Sequence, residues 1–148
     1  MEEIYVTAKV VLANTFVMYF KAHSYHWNVE GKNFAQYHEF FGDLYGEVYS
    51  SLDTTAEQIR ALNDYAPISL SDLYKYKTIE EDTMKPEYPS QMIANLLSAN
   101  NQVIEALNKL FEVAEAANKQ GLVNYVADRL DKHSKHGWML RSFMKSGE

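Results

Sequence analysis

The chain has 148 residues, 47% hydrophobic and 23% charged, with no cysteine and a net charge of −6. That length and balance describe a single globular domain over 1–148 with a substantial core, and exclude a disordered chain, a disulfide scaffold or a thiolate–metal site. No lysine- and arginine-rich tail is present to neutralise phosphates, so strong nucleic-acid binding is not expected, and the acidic balance suits metal cations better.

Apolar residues recur at helical spacing nearly throughout, and no stretch alternates long enough to read as a strand. The first helix is expected from about Glu3 to Asn28, stopping at Gly31, which suits the left-handed C′ position. Its most apolar run, Val10 to Phe20, is broken by Asn14 and Thr15 and is too short to span a bilayer. With no basic start or cleavage site at Met1-Glu2-Glu3-Ile4, a soluble cytoplasmic protein is expected.

Asn33 then caps a second helix, with Gln36 completing a capping-box pattern. That helix carries Phe34, Tyr37, Phe41, Leu44, Tyr45, Val48, Leu52, Ala56 and Ile59, and ends near Asn63 because Pro67 follows. The connection from Asp64 to Pro89 holds all three prolines and a short helix, Ser69 to Tyr76. A third long helix runs from about Ser90 to Lys119, is broken by Gly121, and is followed by a fourth to about Lys145. The expected fold class is therefore all-α. Four long amphipathic helices pair as two hairpins in a four-helix bundle, with a short extra helix in the long connection between helices 2 and 3.

His26, His38, Asp53 and Glu57 are residue types that hold iron, manganese or zinc. Asp53 and Glu57 are four residues apart and share a helix face. His38 lies fifteen residues before Asp53 on the same side of that helix. At 1.5 Å rise per residue the separation is roughly 22 Å, too far for one metal. Two copies of the second helix crossing antiparallel about a two-fold axis would bring His38 of one chain to Asp53 and Glu57 of the other. The crossing falls near Gly46, with Gly42 one turn earlier, and two glycines there would permit close backbone approach. His26 joins His38 across the turn at Gly31. Taken singly, each residue also has an ordinary reading: a hydrogen-bonded structural histidine, or a solvated carboxylate pair.

The stretch His26-Trp27-Asn28-Val29 with Gly31, Phe34 and His38, then Leu52-Asp53-Thr54 and Ala56-Glu57, resembles the signature of the Dps family of mini-ferritins. The segment His136-Gly137-Trp138-Met139-Leu140-Arg141-Ser142-Phe143 is similar to that family's closing motif. The resemblance implies a ferritin-like bundle and a homo-oligomer, a hollow dodecamer built from two-fold dimers. It also implies oxidation of Fe(II), with hydrogen peroxide the usual oxidant, at the dimer interface, and storage of ferric mineral inside. Iron is then the metal, with zinc or manganese as surrogates. His26 and His38 would be ligands from one subunit and Asp53 and Glu57 from its neighbour, with Trp27 an oxidisable residue beside them or an interface-packing one.

The family normally has a further carboxylate four residues after the second histidine, where this chain has Gly42. Asp43 and His23 are the possible replacement donors. Asp128 and Asp131, near the start of the last helix, are candidates for an acidic pore, or else solvated surface; His133 and His136 share a face and are read as structural. Some members compact DNA through lysine-rich terminal extensions, whereas this sequence runs Glu2-Glu3 at one end and Lys145-Ser146-Gly147-Glu148 at the other. The alternative function is a non-catalytic or weakly metal-binding cage with a DNA-protecting, structural role. A third reading is an ordinary helical bundle used for protein interaction.

Overall fold

A computed structural model describes residues 1–145. Its elements, among the described residues, are α1 (Glu2–Asn28), α2 (Phe34–Ala61), α3 (Leu70–Tyr74), α4 (Pro89–Ala116) and α5 (Gln120–Phe143). Helix α1 packs on α2 and α4, and α4 packs on α5. The core is the set of apolar stripes meeting on the bundle axis. Val11, Met18 and Ala22 of α1 lie with Phe41, Leu44, Val48 and Ile59 of α2, Ile93, Leu96 and Leu107 of α4, and Val126 and Leu140 of α5. Phe34 is the exception on the α2 stripe. It is exposed, and its ring stacks on His38 at 4.9 Å.

Polar side chains fix the course of the long connection. Near the start of α1, Lys9 pairs with Asp64 at 2.8 Å. Midway along, the buried Asn14 accepts from the backbone N–H groups of Thr78 and Ile79 at 2.8 and 3.2 Å and donates to Thr78 Oγ1 at 2.8 Å. Towards the end of α1, Lys21 and Tyr25 both reach Asp82, at 3.1 and 2.6 Å. The segment thus crosses from one end of the bundle to the other, and α4 returns antiparallel to α1. Asn14 supplies a donor and an acceptor to a strap that would otherwise bury unpaired backbone groups.

Helix ends differ from the sequence expectation at three places. Helix α1 stops at Asn28 with Val29 extended, so Gly31, at φ +123°, serves the reversal beyond the cap. The Asn33–Gln36 capping box does not form. Asn33 makes no side-chain cap, and the turn is closed instead by Phe34 N–H to Gly31 O at 3.1 Å. Helix α4 ends at Ala116 because Asn118 takes φ +59°, and α2 ends ahead of Asn63 at φ +70°. Asparagine tolerates the left-handed region and terminates both helices, whereas Gly121 lies inside α5 and breaks nothing. In α3, Ser69 Oγ accepts from Asp72 N–H at 3.0 Å as a genuine N-cap.

Candidate metal centre

His26 stands in the last turn of α1 and His38 in the second turn of α2, brought together by the short reversal at Gly31. Their rings stack at 3.8 Å between centroids and 15° between planes. Two reciprocal hydrogen bonds hold them. His26 Nδ1 donates to the His38 carbonyl at 2.7 Å, and His38 Nδ1 donates to the His26 carbonyl at 2.7 Å. A carbonyl only accepts, so both Nδ1 atoms carry the proton. Each neutral ring is thereby locked in the tautomer whose Nε2 lone pair is free for a metal. Backbone carbonyls acting on the far nitrogen are a common way to orient and strengthen imidazole ligands.

Gly42 faces this pair. A Cβ built there would lie 3.1 Å from both Cε1 and Nδ1 of His26. The glycine thus has a reason within the chain, room for the His26 ring, in addition to any role at a helix crossing. Gly46 opens on empty space in the protomer. Asp43, Asp53 and Glu57 are all exposed. Among the described residues no three metal-ligating side chains gather within one protomer, so the histidine pair, shared by α1 and α2, stays apart from the carboxylate pair farther along α2.

His23 is drawn into an aromatic cluster. Its Nδ1 is 2.9 Å from the Tyr19 hydroxyl, and its ring stacks on Tyr45 at 3.8 Å and 8°. Trp27 packs on the other side of His23, with centroids 4.0 Å apart, and remains 56% exposed. Asp128 and Asp131 are exposed and lie well inside α5, in its middle rather than near its start.

The residue that the sequence reading missed is Glu47. It accepts from Arg129 Nη1 and Nη2 at 2.6 and 3.0 Å and pairs with His136 Nε2 at 2.6 Å. Arg129 continues to His133 Nε2 at 3.0 Å, and His133 Nδ1 meets Asn100 Oδ1 at 2.8 Å. Burial alone would raise the Glu47 carboxyl, but the hydrogen bonds from His136 and Arg129 and the arginine charge hold it far below the usual carboxylate range. Burial, with the Arg129 and His136 charges, pushes His133 down to about 3. This network ties α2 to α5 and gives His133 and His136 structural work, as expected. Its signal in the sequence was a glutamate set on the apolar stripe between Leu44 and Val48.

A family model, "Ferritin-like domain", matches residues 9–148. The chain is 31% identical over 138 residues to a DNA protection during starvation protein of Brevibacillus brevis, covering 90% of this chain and 89% of that one. The X-ray structure of Dps from Thermosynechococcus elongatus superposes with a TM-score of 0.94 at 26% identity, over 99% of this chain and 93% of that one. A Dps from Vibrio cholerae, described as a member of a broad superfamily of ferritin-like diiron-carboxylate proteins, gives 0.91 at 25% identity over 97% and 90%. With the helix order, the crossing connection and the histidine pair in place, the chain belongs to the Dps family of ferritin-like proteins.

Proposed function

We propose that the protein is an iron-sequestering mini-ferritin that oxidises Fe(II) at a site shared between two subunits. The observation that carries this reading is the locked histidine pair, whose two Nε2 atoms are left open and which, among the described residues, gathers no carboxylate of its own chain into a metal-holding group. Asp53 and Glu57 from a second copy, related by a two-fold axis, complete the set. Mixed imidazole and carboxylate ligands with open positions suit Fe(II), and their negative charge favours the ferric product. Hydrogen peroxide is the oxidant, and a hollow dodecamer holds the mineral.

The His26 ring fills the space where a side chain at position 42 would begin. With glycine in place of a carboxylate at position 42, this reading has four ligands, enough for one Fe(II) at a time. Trp27 stands beside the site at the surface, and Asp128 and Asp131 line the entry pore.

The test is Asp53→Asn with Glu57→Gln. The double variant should assemble to the wild-type size while oxidising Fe(II) no faster than buffer. Wild-type protein that assembles yet never exceeds the buffer rate would leave a non-catalytic cage as the better reading. A monomer or simple dimer on sizing would leave an interaction bundle.

A further inference from the structure

Helix α1 carries Tyr19, His23 and Trp27 in one column, a turn apart, and α2 adds Tyr45 and Tyr49 alongside. The Tyr19 hydroxyl lies 2.9 Å from His23 Nδ1 and donates to it in the tautomer that carries the ring proton on Nε2. Tyr45 stacks face to face on His23 and lies 5.3 Å from the His26 ring. Tyr19 is 6.2 Å from Tyr45 and 4.9 Å from Tyr49, which is 57% exposed. The cluster forms an unbroken aromatic path from the His26 imidazole to a phenol with a base in place, and on to the Tyr49 ring.

We propose that Tyr19 and His23 form a proton-coupled redox site that supplies one electron to the oxidant consumed beside His26. The inference rests on the ferroxidase reading and deepens it. Cleaving the oxygen–oxygen bond of hydrogen peroxide takes two electrons, and a single Fe(II) yields one. Left there, the second oxygen departs as hydroxyl radical. With Tyr19 as the second donor the step balances: Fe(II), hydrogen peroxide and the tyrosine phenol give Fe(III), hydroxide, water and a neutral phenoxyl radical. The electron leaves Tyr19 through Tyr45. The phenolic proton passes to His23 Nδ1, and solvent returns an equivalent proton to the second oxygen.

The hydrogen bond is what selects Tyr19. A phenol oxidised without losing its proton becomes a strongly acidic, high-energy cation, whereas one bonded to a neutral imidazole sheds the proton along an existing bond. A His23 ring protonated on Nε2 presents Nδ1 to the phenol as the acceptor, and the stack on Tyr45 holds it in that place.

The experiment has two arms on the assembled protein. In the first, equimolar Fe(II) and hydrogen peroxide are mixed, freeze-quenched and examined by electron paramagnetic resonance. In the second, azide radicals from pulse radiolysis oxidise the protein without iron, and phenoxyl absorbance is followed. Wild type should give a long-lived tyrosyl radical in both arms. Tyr19→Phe should lose most of it, while Tyr65→Phe, at an exposed tyrosine outside the cluster, should leave it unchanged. His23→Gln should keep the fold, shorten the radical's lifetime and shift its g-tensor away from the hydrogen-bonded form. An equal radical yield in Tyr19→Phe, or no tyrosyl radical in wild type in either arm, overturns the proposal. If wild type oxidises Fe(II) only at the buffer rate, the ferroxidase reading fails, and the azide arm alone decides on the pair.

Discussion

Replacing Glu47 by alanine tests whether the buried network is what holds α2, and with it His38, Asp53 and Glu57, in place. The substitution removes both hydrogen bonds to Arg129, at 2.6 and 3.0 Å, and the 2.6 Å contact to His136 Nε2. Arg129 keeps only 7% of its side chain exposed, so its charge is left nearly dry with His133 Nε2 as its remaining contact. Among the described residues His136 Nδ1 already has no partner, and its Nε2 would then lose its own. Breaking a buried ion pair from one side costs about 3–5 kcal/mol. Glu47 retains 29% exposure, which places the expected loss near the lower end, about 3 kcal/mol. Urea unfolding at fixed protein concentration measures it, since assembly also contributes to apparent stability.

The double variant Glu47→Ala with Arg129→Met removes both charges and should recover part of the loss. The pH dependence supplies a second readout. The Glu47 carboxyl lies below its ordinary value of 4.5, so its stabilisation is present above pH 4.5 and is lost as pH falls towards the depressed folded value. His133 stays neutral down to about 3 when folded but protonates near 6.5 when unfolded, so it removes stability as pH falls from 6.5 to 3. Glu47→Gln should therefore flatten the limb below pH 4.5 and leave the decline above it. A Glu47→Ala loss under about 1 kcal/mol, or a double variant no better than the sum of its singles, would refute the account.

Asn14→Ala strips the connection of three hydrogen bonds and leaves the Thr78 and Ile79 N–H groups without their acceptor, so a loss of about 2–4 kcal/mol is expected on thermal or urea unfolding. A loss within error of zero would mean that water replaces the side chain freely. Gly42→Ala gains about 1 kcal/mol of helix propensity but pushes on a ring fixed by a 2.7 Å hydrogen bond, so stability should change little. Affinity for zinc, a redox-silent probe, should fall by about 10-fold or more in a calorimetric titration, and unchanged affinity would show that the His26 orientation is not needed.

Much of this molecule was written locally. Periodicity placed four long helices and the short one, because an amphipathic stripe has to face a core wherever it lies. The ligand types and their spacing on α2 pointed to a site that one chain cannot close, since rise per residue is fixed by helix geometry. Where local chemistry was ambiguous the reading slipped. Gly121 was taken for a helix breaker, but two asparagines hold the left-handed positions, and Asn33 makes no cap because the turn at Gly31 already serves α2.

Only tertiary packing decided the rest. The reciprocal bonds of His26 and His38 join a side chain to a carbonyl twelve residues away, and no spacing rule encodes which nitrogen that fixes. The place of Gly42 under the His26 ring, the Tyr19–His23 pair beside Tyr45, and the bridge from Glu47 to Arg129 all depend on how two helices are rotated against each other. The sequence by itself determined which residues are proposed to do metal chemistry. The fold decided how those imidazoles are held, because hydrogen-bond direction is a property of neighbours in space.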